Sequence, residues 1–352
     1  MLKKAAALLF AGMSLTFLIS CGSTTSRFVY VALPAASQIA AYREDPNSGI
    51  LTALSTSPVA AGPTVQSIAI HPSGKFLYAA NSGEGDISLF TISNSGFLTE
   101  VTPRPQVGAP TPSILAMDSA GTYLYVGNAG TNNVSAFSID SSSGALTLVP
   151  GSPFQIGLSP LNMKVSAANV LYVTGLGAPG YIEYFSLASG VPTFLNALQV
   201  GTNPNGLALS PDGSFLYVAN TGDNSISEFS VGSDGSLTGI NGSPIGETFS
   251  APLSLLVDGS GKYLYVANNG SSNLAAYAIG SDGSLTLLSN SPFGTGAQPS
   301  FIATDPKGKF LFVGNQSGAE IQSFGLDTGS GTLTSVATYS VGNSVTSIAV
   351  TP

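Results

Sequence analysis

Cysteine and histidine each occur once, at Cys21 and His71, and tryptophan is absent. A Cys/His metal constellation needs several such ligands at set spacing, so none can be built, and no disulfide can form within the chain. Charge is scarce too: Asp, Glu, Lys and Arg make up 8% of the chain, against a usual ~25%. The polar surface must therefore be built from Ser, Thr, Asn and Gly. There is no Gly-x-Ser-x-Gly in a strand–turn–helix setting and no phosphate loop ahead of a helix. No stretch beyond residue 30 sustains a 3.6-residue apolar period, so almost no helix is expected. Net charge is −8, and an acidic, cation-poor body argues against nucleic acid and anionic lipid as partners.

What the chain has in excess is glycine, 42 in 352 residues, against a usual ~7%. Residues 206–238, GLALSPDGSFLYVANTGDNSISEFSVGSDGSLT, show where it goes. Four short runs of alternating apolar residues are separated by turns at Pro211-Asp212-Gly213, Thr221-Gly222-Asp223-Asn224 and Ser233-Asp234-Gly235. That pattern predicts a four-stranded antiparallel meander, which cannot bury both faces alone. The aromatic of its second strand recurs at Tyr30, Tyr78, Tyr125, Tyr172, Tyr217, Tyr265 and Phe312, with gaps of 48, 47, 47, 45, 48 and 47 residues. A period in the forties with about four strands per repeat predicts an all-β, seven-bladed β-propeller of four-stranded antiparallel blades. The repeats fill residues 27–352 evenly as one toroidal domain.

The first blade begins without an innermost strand. Arg27–Leu33, 38–42 and 50–54 supply its second, third and fourth strands. At the other end, residues 345–351 read VTSIAVT, close to VQSIAIH at 65–71. The C-terminal strand is therefore expected to complete the first blade and close the ring. The fourth blade is irregular: Gly175 stands where other blades have Asn, and Ser166-Ala167-Ala168-Asn169 replaces the Pro-x-Gly turn. Drift in a tolerant repeat accounts for this more simply than a specialised loop.

Residues 1–20 form a targeting segment, with Lys3 and Lys4 before an apolar stretch of 15 residues at 5–19. That is short of the ~20 residues a membrane-spanning helix needs. It ends in Leu18-Ile19-Ser20-Cys21, which resembles the lipobox of bacterial lipoproteins. The resemblance implies cleavage before Cys21, lipid on its sulfur and acylation of the new N-terminus, which would anchor the protein stably. Residues 21–26 are then a short tether. Gly22 after the Cys resembles an outer-membrane address, so a cell-envelope location is expected, with the bilayer as partner through Cys21.

LYVAN at 216–220 and 264–268 resembles the YVTN-type repeat of bacterial surface propellers. HPSGKFLYAAN at 71–81, GALTLVPGSPF at 144–154 and GSLTLLSNSPF at 283–293 are similar to the seven-bladed lactonase family, which includes 6-phosphogluconolactonases and fungal lactonising enzymes. The absence of Trp sets the chain apart from WD-repeat and quinoprotein propellers. The repeated Asn81, Asn128, Asn220, Asn268 and Asn315 read as turn residues that bond their own backbone.

In a propeller, the loops from outermost to next innermost strand share one face with those joining second and third strands. That face should gather Glu84, Asp86, Arg104, Asp223, Glu247 and Glu320, with Gln155, Asn203, Gln298 and Gln316. The opposite face collects Lys75, Lys262, Lys307 and Lys309. Arg104, Glu84 and Glu247 are the candidate catalytic groups, and Arg104 is the one good cation for an anionic substrate among several carboxylates. A phosphorylated or carboxylated substrate would be repelled at such a mouth. The fungal enzymes' His/Arg/Glu channel cluster has no counterpart. His71 ends an innermost strand and reads as a turn cap, with Asp118, Ser210, Asp258 and Asp305 as its equivalents. Mouth carboxylates offer at most a weak Ca²⁺ site, and no cofactor or metal is expected. The expected function is a binding or scaffold module, a monomer taking a small-molecule, glycan or protein ligand at the channel mouth. The alternative is a lactonase acting on an uncharged or cationic lactone.

Overall fold

A computed structural model describes residues 26–246 and 248–352. The leader, Cys21 and Glu247 lie outside the described residues. Seven antiparallel sheets follow one another around a ring, and the connections run from each outermost strand to the next innermost one.

The seam closes as the sequence predicts. Ser347–Val350 is the innermost strand of the first blade, pairing antiparallel with Arg27–Leu33 in the register Val29↔Val350 to Ala32↔Ser347. Gln38–Glu44 and Leu51–Ala53 complete that sheet. Phe28 N–H donates to Thr351 Oγ1 at 2.9 Å, and Ile68 N–H to Ser347 Oγ at 3.2 Å, so the last residues bond to both the first and second blades. The described chain contains one short 3-10 turn, Pro34–Ala36.

The apolar alternation that defines each strand buries its side chains between blades, because each sheet faces a neighbour on both sides. One cluster lies at each of the seven junctions. The recurring aromatics are at most 1% exposed, and each full burial contributes ~1.5–3 kcal/mol. Tyrosine is used for a second reason. Tyr30, Tyr78, Tyr217 and Tyr265 each donate their hydroxyl to a glycine carbonyl of the next blade, at Gly96, Gly144, Gly283 and Gly331, over 2.8–2.9 Å. Tyr172 does the same to Gly235 at 2.7 Å. These glycines sit at positive φ, between 72° and 81° for Gly96, Gly144, Gly235 and Gly331 and at 85° for Gly283. A side chain there would be strained, so glycine presents its carbonyl to the tyrosine.

The Ser-Pro of the GSPF-type motif interrupts the outermost strand. Ser57, Ser152, Ser243 and Ser291 accept the N–H of Ala41, Ala136, Glu228 and Ala276 on the third strand, where the outer strand has left the ladder. The fourth and seventh blades lack the motif and keep unbroken outer strands, Val191–Gln199 and Leu333–Ser340.

Candidate functional site

The loops of the expected mouth face are occupied with structural bonds. Arg104 donates through Nε to Glu100 at 2.7 Å, and its Nη1 lies 3.2 Å from Glu84 and 3.8 Å from Asp86. Glu100 lies on the outermost strand, Leu98–Val101, of the second blade. Three carboxylates thus hold this guanidinium at the outer part of one blade, leaving it no charge to offer a ligand. Glu84 is brought to Arg104, and Glu247 lies outside the described residues. Asp223 accepts the N–H of Thr202, and Glu320 bonds Asn315. Gln298 accepts from Ser317, while Gln155 pairs with Asn133 in the third blade. Among the described residues no group of three or more His, Cys, Asp or Glu side chains could hold a metal.

The repeated asparagines correct the sequence reading. They are fully buried, and their amides reach side chains of the third strand rather than their own backbone. Asn81 Nδ2 donates to Asp86 and Ser88, Asn128 to Asn133 and Ser135, Asn220 to Ser225 and Ser227. They pin the second strand to the third at the mouth end. In the fourth blade that place is Gly175, with Leu158 and the Ser159 carbonyl packed where a Cβ would stand, and Glu183 of the third strand accepts Gly157 N–H at 2.9 Å. Burial pushes the Glu183 carboxyl above its usual range, and the Gly157 bond partly offsets this. The irregular blade thus packs this corner with Leu158 and Ser159 rather than opening a loop there.

His71 is a cap on the opposite face. Its Nδ1 lies 2.8 Å from Ser73 Oγ and its Nε2 3.0 Å from the Gly121 carbonyl of the next blade. Asp258 and Asp305, its equivalents, accept the turn N–H groups of Tyr263 and Phe310.

An ionisable residue that sequence reasoning passed over lies in the central channel. The seven innermost strands line a cavity of about 350 Å³ whose wall mixes polar and apolar surface, with Ile68, Leu115, Met163, Leu255, Ile302 and Ile348 around it. Ser67, Ser254 and Ser347 also line it, each Oγ accepting the N–H of the next innermost strand at 3.2–3.3 Å. Lys164 is the one ionisable side chain among the described lining residues.

Its position is defined by register. The innermost residue paired with the recurring aromatic is Ala349, Ala69, Ala116, Ala208, Leu256 or Ala303 in six blades, and Lys164 opposite Tyr172 in the fourth. Among the described residues Lys164 has no salt bridge or hydrogen-bond partner. The side chain is exposed to the open channel. The crowding of surrounding blades lowers its pKa from the usual lysine value, although the side chain itself is open to the channel's solvent. Asn162, two residues earlier on Pro160–Val165 and also lining the cavity, shares the strand face with Lys164. No His, Arg or carboxylate stands among the described lining residues; one unpaired amine and one amide share the channel with Ser67, Ser254 and Ser347. Aligning the seven innermost strands would have exposed the lysine as the odd member of an alanine column.

The chain matches the family model described as lactonase, 7-bladed β-propeller, over residues 21–157, 183–258 and 250–350. The unmatched stretch 158–182 contains Asn162, Lys164 and Gly175. The fold is similar to that of a periplasmic gluconolactonase of Pseudomonas aeruginosa, at 20% identity and TM-score 0.77, covering 93% of this chain and 99% of that one. A candidate 6-phosphogluconolactonase of Bacteroides uniformis and a Lactobacillus plantarum protein each match at 20% identity and TM-score 0.79, covering 93% of this chain and 99% of theirs. Among curated protein sequences none matches the chain.

Proposed function

The chain belongs to the lactonase family of seven-bladed β-propellers, and from that premise we propose that it hydrolyses a small lactone within the central channel. The observation that carries the reading to a site is the unpaired amine of Lys164 in an otherwise uncharged cavity wall. With its pKa lowered by the crowding blades, the amine takes a proton from a water molecule attacking the lactone carbonyl carbon. The tetrahedral intermediate then collapses with cleavage of the ring C–O bond. The ammonium returns the proton to the departing alkoxide, giving the open-chain hydroxy acid. Asn162 offers an amide N–H from the same strand face to the carbonyl oxygen as charge develops on it.

The gluconolactonase neighbour supports glucono-δ-lactone as the first substrate to test. The same channel changes the expectation about charge. Arg104 is neutralised on its blade, whereas Lys164 makes the channel itself locally cationic when protonated, so an anionic lactone is not repelled there. Family membership favours hydrolysis over the scaffold role expected from sequence. The test is hydrolysis of glucono-δ-lactone by the purified protein, followed by proton release, with Lys164→Met as the comparison.

The ring acts at the cell envelope, tethered through lipid on Cys21. The support for this is the apolar leader at 5–19 that ends in Leu18-Ile19-Ser20 ahead of the sole cysteine. Cys21→Ser should move the protein from the membrane fraction to the soluble fraction; unchanged membrane retention would contradict the tether.

A further inference from the structure

We propose that the inner turns around Arg27 form a docking surface for anionic phospholipid headgroups, holding the ring against the bilayer with its mouth loops turned away. The proposal takes its setting from the Cys21 tether and its chemistry from the placement of charge. Arg27 opens the second strand of the first blade, so the described chain emerges on the face where first and second strands turn. The neighbouring turns of that face carry lysines. Ser26 shares a pocket with Ser73, Gly74, Lys75 and Pro352. The Arg27 guanidinium reaches Asp305, whose carboxylate accepts the N–H groups of Lys307 and Lys309. A second pocket joins Lys307 to Gly259 and Ser260, in the turn that ends at Lys262. Lys75, Lys262, Lys307 and Lys309 thus form an exposed arc over the second, sixth and seventh blades, with the N-terminus in its middle. None of the four forms a salt bridge among the described residues.

The net charge of −8 conceals this arrangement. Asp45, Asp282 and Asp327 lie on the outer turns of the same blades, accepting the N–H groups of Asn47, Ser284 and Gly329, and exposed Arg43 stands two residues before Asp45. Across the ring, the same face exposes Asp140, Asp212 and Asp234 and has no turn lysine. On the mouth face the one described cation, Arg104, is already held by Glu84, Asp86 and Glu100. Reach sets the orientation. Five residue steps from Cys21 to Ser26 span at most ~18 Å. That is less than the ~20 Å that the Arg27–Leu33 strand puts between this face and the mouth. The tether cannot run back along the ring to set the mouth loops on the bilayer. Each lysine brought to an anionic surface strengthens attachment about fivefold.

The experiment attaches a fluorophore to the full-length protein through Asn94→Cys, on the turn face, or Ser317→Cys, on the mouth face, both exposed positions. The unsubstituted protein is the labelling blank. Vesicles of phosphatidylcholine, with or without phosphatidylglycerol, carry a lipid-borne quencher. Quenching at position 94 should exceed that at 317 and rise with phosphatidylglycerol. It should fall between ~0.1 M and ~1 M salt, as the Debye length drops from ~10 Å to ~3 Å. Lys307→Gln with Lys309→Gln should weaken the phosphatidylglycerol-dependent part roughly 25-fold. Equal quenching at both positions, or quenching at 94 indifferent to phosphatidylglycerol and salt, overturns the proposal. Intact mass reads the lipid on Cys21 separately. With lipid present and both positions quenched alike, the tether stands and the docking surface fails. With lipid absent and phosphatidylglycerol still quenching position 94, the tether fails and the surface stands. Absence of both lipid and quenching overturns both.

Discussion

Arg27 and Asp305 meet at 2.6 Å across the junction of the first and seventh blades, with Arg27 Nη1 also 3.5 Å from Glu44. All three side chains are buried. The cluster therefore sits at the seam where the C-terminal strand closes the ring. Removing one member of a buried ion pair typically costs ~3–5 kcal/mol, because the remaining charge is left without a partner. Arg27→Ala should lose stability on that scale in urea unfolding, with two carboxylates left facing each other. A change below about 1 kcal/mol would show that the seam does not depend on this pair.

The same cluster makes stability depend on pH. Burial is the main cause that raises the Glu44 pKa from 4.5 to about 7, with the Asp305 charge adding to it and Arg27 opposing it. The folded state thus favours the protonated carboxyl. Its contribution is full below about 4.5 and is lost as pH rises through about 7. Glu183 and Glu228 are shifted in the same direction, so the comparison must be with Glu44→Gln. The gap in Tm between that variant and the wild type should move in the variant's favour from pH 5 to pH 8. A gap independent of pH would refute the assignment.

The tyrosine tethers can be tested one at a time. Tyr217→Phe removes the 2.9 Å bond to the Gly283 carbonyl while keeping the ring in its cluster. The expected loss is about 0.5–1.5 kcal/mol. Phe312 occupies the equivalent place in the seventh blade and is itself fully buried, so the fold tolerates the change. Tyr217→Ala should cost ~3–5 kcal/mol through the cavity it leaves. Equal losses for the two variants would mean that the ring's volume contributes nothing.

Deleting residues 345–352 removes the innermost strand of the first blade, with its pairing to Arg27–Leu33 and its bond to Ile68. The ring should then melt earlier as a whole, by circular dichroism. An unchanged melting curve would contradict closure by this strand.

Periodicity made the ring legible in the sequence. Tyr30 to Phe312 mark seven second strands, and VTSIAVT at the end matches VQSIAIH near the start. The role of Asn81 was hidden because its partners, Asp86 and Ser88, lie across a turn on the third strand. Nothing in local pattern separates that from ordinary turn chemistry. Arg104 looked available because Glu84 and Asp86 were counted as neighbours on a face rather than as ion-pair partners, and Glu100, on the outermost strand, was not counted at all. Lys164 was hidden for a different reason: PLNMKV, its strand, reads as an irregular apolar run. Only the register that pairs Lys164 with Tyr172 places the amine in the channel column held elsewhere by alanine and leucine.

Lactone hydrolysis by Lys164→Met beside the wild type, with glucono-δ-lactone near pH 7.5 and Tm as the folding control, bears most directly on the channel as the site of chemistry. Loss of a general base lowers kcat by ~10²–10⁴-fold, and that drop is predicted with Tm unchanged. Equal rates for the two proteins, or no hydrolysis by the wild type, would contradict it.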